Sequence, residues 1–165
     1  MRLSSLTPDR TPDFVDYCRR HKAEVDDSYL YDDQLAKFQP DQDNPTYILT
    51  GPKGEVQAAA SLMIDDYHRR GRRARFRIFH SEADGIMHYQ TLMQAMLKHA
   101  EGLDKYIVFV GMDNPPMAGL VERLGFRADR YSFVLLREES GVPEPRFPEG
   151  YEVRSFTVGR DEKAG

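Results

Sequence analysis

Residues 107–126 read Ile-Val-Phe-Val-Gly-Met-Asp-Asn-Pro-Pro-Met-Ala-Gly-Leu-Val-Glu-Arg-Leu-Gly-Phe, and this stretch decides the fold. Ile107 to Val110 is an apolar, β-branched run of the kind that fills a strand buried on both faces. Asp113-Asn114-Pro115-Pro116 stops it. Proline has no N–H to give a ladder but suits the first turn of a helix, and Asn114 is a good N-cap for that helix. Met117, Leu120, Val121 and Leu124 recur at helical spacing. Gly125 is then the expected left-handed residue past the helix end, with the apolar Phe126 after it. Strand, capped turn and short helix form one unit whose helix start is open to a ligand.

Outward from this unit, Ser81 to Asp84 reads as a loop, and Gly85 or the residue after it opens a long helix. Ile86, Tyr89, Met93, Met96, Ala100 and Leu103 mark one face of that helix, so its methionines read as packing. Ala74 to His80 is a strand with clean alternation: Arg73, Arg75 and Arg77 on one face, Ala74, Phe76 and Ile78 on the other. A strand, a crossover helix and a strand make a parallel pair of 74–80 and 106–111. Tyr47 to Thr50 and Val56 to Ile64 are strands joined by the hairpin turn Gly51-Pro52-Lys53-Gly54, and Tyr67 to Gly71 reads as the next turn. Before them come a short strand, Arg2 to Leu6, and a helix with Thr11 as N-cap and Pro12 as its first residue. Its apolar face carries Phe14, Tyr17, Cys18, His21 and Val25, which places Cys18 and His21 in the core. A short helix falls around Asp32 to Phe38, and Arg130 to Arg137 alternates as a final strand. The class is α/β (α+β): a mixed central sheet in which an antiparallel meander is joined to a parallel strand pair by a long crossover helix.

Asn114, Leu124, Gly125 and Phe126, with this order of elements, resemble the GNAT superfamily of acyl-CoA-dependent N-acetyltransferases. The likeness covers residues 1 to 138 by element order and 107–126 by motif. Met117 stands where the family motif usually has Ala, and Val121 where it usually has Tyr. The resemblance implies acetyl-CoA as cosubstrate and a small-molecule amine as acceptor. It implies that strands 74–80 and 106–111 splay at their C-terminal ends, with the pantetheine arm in the gap against Arg77, Ile78 and Phe79. It puts the pyrophosphate on backbone N–H groups at the start of the long helix, around Gly85, Met87 and Tyr89, where the helix dipole favours an anion. Asn114 and Met117 complete the cofactor-binding set. Met87 and Tyr89 fall on the two positions where the family uses small residues, so the expectation is that their side chains fill the phosphate space and weaken acetyl-CoA binding. Candidate bases are His80, Glu82 and Asp84, with His80 best matched to neutral pH; Tyr131 or Tyr89 is a candidate acid in place of the Tyr that Val121 replaces. Two functions fit: an N-acetyltransferase, or a degenerate GNAT domain serving as the structural or ligand-binding half of a tandem protein.

Composition sets the other bounds. Charged residues make up 30% and hydrophobic ones 40%, as in ordinary globular chains. A net charge of −4 argues against nucleic acid as partner. The single cysteine, Cys18, forbids an internal disulfide and suits the cytoplasm, and no run approaches membrane-span length. No four-ligand metal spacing is present. Arg69, Arg70, Arg72, Arg73, Arg75 and Arg77 cluster tightly, and Glu24 to Asp43 carries seven carboxylates against one lysine. The arginines read as a hairpin tip pairing with that acidic segment, as phosphate contacts, or as a nucleic-acid patch. The acidic segment reads as a solvated loop or as a wall that attracts an amine. Residues 1–139 form the GNAT-like domain, and 140–150, rich in Gly and Pro, a linker. The tail 151–165 is expected to open a second such domain: Ser155, Thr157 and Arg160 repeat the spacing of Ser5, Thr7 and Arg10, as in tandem proteins similar to mycothiol synthase. A homodimer is the other expected partnership.

Overall fold

The computed structural model of the chain describes residues 1–99, 101–133, 144–155 and 157. Five strands, β1 (Arg2–Ser5), β2 (Thr46–Thr50), β3 (Val56–Met63), β4 (Arg73–Ser81) and β5 (Lys105–Ile107), form one sheet in chain order. The first four pair antiparallel, and β4 pairs parallel with β5, as one crossover helix requires. The helices are α1 (Thr11–His21), α2 (Asp32–Leu35), α3 (Asp66–Arg70), α4 (Met87–Met96) and α5 (Pro115–Arg123).

The alternation of the strands builds two apolar layers, one on each face of the sheet. Ile48, Ala59 and Ile78 pack with Phe14, Tyr17 and Cys18 of α1 and with Leu30, Leu35 and Phe38. Ala58, Ala60, Ala74 and Phe76 pack on the other face with Tyr89, Leu92 and Met96 of α4 and with Met117, Leu120 and Leu124 of α5. The three alanines Ala58, Ala59 and Ala60 are fully buried, so helices approach the sheet closely from both sides. Asn114 caps α5 as its sequence predicts: its side-chain oxygen accepts from Met117 N at 3.1 Å. Gly125 takes φ +92°, the left-handed conformation that ends the helix.

Several expectations are corrected. Residues 66–70 are a helical turn, because Asp65 caps it by accepting from His68 N at 3.0 Å. Thr11 is the first residue of α1, with Arg10 at the cap position. α4 starts at Met87, not at Gly85, whose φ of +99° is incompatible with a right-handed helix. β5 ends at Ile107, so 108–110 are not in the ladder. His21 is not a core residue: it sits at the end of α1 among charged groups.

The chain divides into two units, Met1–Arg127 and Ala128–Gly165. In the second, Arg130 to Phe133 and Tyr151 to Ser155 are exposed and form no strand, although both runs alternate. Residues 134–137 of the expected final strand, and Phe156 and 158–165 of the tail, lie outside the described residues.

Candidate functional site

β4 and β5 pair only at Arg73 with Lys105, Ala74 with Tyr106 and Arg75 with Ile107. Beyond this level β4 runs on to Ser81 while the chain after Ile107 leaves it. The cause lies in the next ladder. Ser61 of β3 pairs with Ile78 and Leu62 with Phe76, which leaves Arg77 as the extra residue of a bulge. A bulge bends its strand and increases its twist. The two parallel strands therefore splay, and a narrow cleft opens between them. Phe76, Arg77, Ile78 and Phe79 form one wall and Val108, Phe109, Val110 and Gly111 the other; Asn114, Met117, Glu24, Val25 and Asp26 also line it. Asn114 Nδ2 donates to the Glu24 carbonyl at 3.1 Å, which ties the start of α5 to the segment after α1.

Of the residues expected to bind the cofactor, Arg77, Ile78, Phe79, Asn114 and Met117 line this cleft, and Gly85, Met87 and Tyr89 do not. Met87 is 76% exposed. Tyr89 turns inward, edge-on to Phe79, with its hydroxyl accepting from Ser81 N at 3.2 Å. Tyr89 therefore does not fill the space over the start of α4 as expected, whereas Met87 stands exposed at that start. The N–H groups of Met87, His88 and Tyr89 have no partner among the described residues, as the first turn of a helix leaves them.

Two of the clustered arginines pair with the acidic segment, while Arg72 pairs with Asp104 at 2.7 Å. Arg75 holds Asp26 at 2.7 Å and lies over both Tyr29 and Phe109, and Arg69 holds Asp43 at 2.7 Å. Arg77 donates to Asn44 Oδ1 and to the Tyr29 carbonyl, over the Phe38 ring. A second cleft of about 520 Å³ is lined by Tyr29, Gln34, Lys37, Phe38, Asn44 and Arg77, among others.

At the end of β4 stands a cluster that sequence reasoning found only in part. His80 is buried, with Nδ1 2.8 Å from Tyr17 Oη and Nε2 3.1 Å from Glu24 Oε2. Its ring stacks on His21, with centroids 4.4 Å apart. His21 Nδ1 lies 2.9 Å from Glu24 Oε1, and its Nε2 lies 3.0 Å from Glu82 Oε1, which also takes Arg20 at 2.8 Å. Burial, then the neighbouring His21, holds His80 below the ordinary histidine value, although Glu24 pulls the other way. The His21 hydrogen bond lowers Glu24. Burial raises Glu82, but the hydrogen bonds from Arg20 and His21 outweigh it, so its carboxyl is held low as well. Burial, then the Glu82 charge, raises Tyr17 above the usual phenol value. Burial pushes the Cys18 thiol up to about 12, so it is no nucleophile. His80 and Glu82 thus come together as expected, joined by Glu24, His21 and Tyr17, which the sequence reading did not assign to the site. The i, i+3 spacing of His21 and Glu24 was the available signal. Tyr131 belongs to the second unit and is exposed.

Solved structures share this architecture. The ribosomal-protein-alanine N-acetyltransferase of Brucella melitensis matches 83% of this chain and all of its own, with a TM-score of 0.59 at 12% identity. An aminoglycoside N-acetyltransferase in complex with CoA matches 83% of this chain and 99% of its own (TM-score 0.61, 12% identity). Glucosamine-6-phosphate N-acetyltransferase of Arabidopsis thaliana matches 83% and 98% (TM-score 0.57, 14% identity). The chain has the GNAT fold. No family model matches it. By sequence, this GNAT domain is similar to mycothiol acetyltransferases. It is 35% identical to that of Saccharomonospora viridis over 79 residues, 47% of this chain and 25% of the relative. With that of Actinosynnema mirum it is 49% identical over 53 residues, 32% of this chain and 18% of the relative. The chain thus matches a quarter or less of the length of these relatives.

Proposed function

We propose that this GNAT domain transfers an acetyl group from acetyl-CoA to a primary amine. The observation that carries the reading is the bulge-driven splay of β4 from the chain after β5, with proton acceptors beside it. In this reading the thioester lies in the cleft against Phe76 to Phe79, and the pyrophosphate takes the N–H groups at the start of α4. The amine nitrogen attacks the thioester carbonyl, the C–S bond breaks, and CoA leaves as thiolate. The amine's proton passes to the cluster formed by Glu24, His80 and Glu82, within which an ionised carboxylate or a neutral ring accepts it. The wider cleft at Tyr29, Lys37 and Arg77 gives the acceptor a route from the α1–β2 side.

The likeness to mycothiol acetyltransferases over a quarter or less of their length supports a second proposal: this domain is one unit of a longer tandem protein, working in the cytoplasm. The test is thiol release. The chain is mixed with acetyl-CoA and each of a set of primary amines, and free CoA is followed with a thiol reagent. The reading predicts amine-dependent release that falls at least about 100-fold in the double variant Glu24→Gln, His80→Gln, the size of a general-base contribution. Release that no amine accelerates would sink it.

A further inference from the structure

We propose that His21, Glu24 and His80 form a binding site for one divalent transition-metal ion, zinc by donor chemistry. The inference goes beyond acetyl transfer and does not rest on it: it is an alternative occupancy of the same cluster, in which Glu24 and His80 hold the ion and are not free to take the amine's proton. The three ligand atoms lie within 4.8 Å of one another. Glu24 sits between the two rings, with one oxygen at 2.9 Å from His21 Nδ1 and the other at 3.1 Å from His80 Nε2.

The groups behind the two rings fit such a site. The Tyr17 hydroxyl lies 2.8 Å from His80 Nδ1 and 3.2 Å from the Gln57 carbonyl. His80 Nδ1 is thus held by the Tyr17 hydroxyl, and Nε2 is the nitrogen that faces Glu24. His21 Nε2 lies 3.0 Å from the Glu82 carboxylate and its Nδ1 2.9 Å from Glu24, so the ring stands between two carboxylates. Arg20 Nη1 stands 3.5 Å from the same Nε2, but its 2.8 Å bond goes to Glu82. Two imidazole nitrogens and a carboxylate thus converge on one point, and an ion that displaced the ring protons between them would find three ligand atoms. Histidines whose other nitrogen is held by a carboxylate or hydroxyl are the usual support of metal ligands.

Two imidazoles and one carboxylate suit Zn²⁺, and three protein ligands leave its fourth position for water. Ligand atoms of a tetrahedral zinc stand roughly 3.3 Å apart for bonds near 2.0 Å. Closing to that spacing needs movement of only about an ångström or so. Glu24, with a side chain 56% exposed, and His21, the last residue of α1, are placed to make it.

The tag-free chain, treated with chelator, is titrated with Zn²⁺ by calorimetry, and Co²⁺ is added in parallel to read coordination from its visible absorption. The expected result is one ion per chain, a tetrahedral or five-coordinate cobalt spectrum, and at least about a tenfold loss of affinity in Glu24→Gln and in His21→Gln. Glu24→Gln alters a largely exposed side chain, so its fold, checked by circular dichroism, stays comparable. His88→Gln, outside the cluster, keeps full affinity. No saturable binding, or binding unchanged in both Glu24→Gln and His21→Gln, would overturn the proposal.

Discussion

Asn114→Ala tests how the start of α5 is built. The side chain makes two bonds in opposite directions: its oxygen accepts from Met117 N, and its nitrogen donates to the Glu24 carbonyl, each at 3.1 Å. Losing an Asn N-cap costs about 1 kcal/mol. The second bond joins partly solvated groups, so its loss adds about 0.5–1 kcal/mol, at the lower end for a neutral hydrogen bond. The sum is about 1.5–2 kcal/mol, or a fall in Tm of roughly 6–8 °C for a unit of this size. Asn114→Asp separates the terms. It keeps the cap oxygen and gains from the helix dipole, but it has no proton for Glu24, so its loss should be about 1 kcal/mol or less. Urea unfolding and thermal melts of the three proteins give both numbers. If Asn114→Ala melts with the parent, neither bond contributes to stability and the account of this helix start is wrong.

Asp65 caps α3, and the hydrogen bonds from His68 outweigh burial to hold its carboxyl below the ordinary value. Its contribution is therefore complete above the unfolded carboxylate pKa of about 3.9 and is lost as the pH falls through the lower folded value; urea midpoints should show a gap between parent and Asp65→Ala at pH 6 that closes in that acid range. Arg75→Lys should destabilise by about 1–2 kcal/mol in urea, because an ammonium cannot lie flat over Tyr29 and Phe109 while holding Asp26. Gly125→Ala should cost about 1–2 kcal/mol, since φ +92° crowds a Cβ against its own backbone.

The unit 107–126 was legible because its signals are local: a β-branched run, a cap, prolines at the helix start and a glycine past its end. The splay was legible only through the family resemblance. Its physical cause, the bulge at Arg77, depends on how Ser61 and Leu62 register against β4, and no residue of β4 announces it. For the same reason the strand 106–111 was read too long: the neighbour that would hold Val108 to Val110 has bent away. Tyr89 was read as an obstacle to phosphate because sequence position gives no side-chain direction; in the fold it reaches Ser81 N and Phe79. His21 was read as core from its spacing with Cys18, whereas the helix ends there and its ring meets His80 and Glu82. Glu24 was hidden within a run of seven carboxylates, and only the tertiary fold separates it from the rest.

The central claim is that the cleft between β4 and the chain after β5 takes acetyl-CoA, and calorimetric titration of the chain with acetyl-CoA tests it most directly. With Tyr89 turned away from the start of α4, the account predicts one site with a dissociation constant tighter than roughly 100 μM, about 5.5 kcal/mol of binding. It also predicts that Val110→Trp, which fills the cleft wall opposite β4, abolishes the heat while the thermal melt stays that of a folded protein. Saturating heat that persists unchanged in Val110→Trp, or no binding at millimolar acetyl-CoA by the parent chain, would contradict it.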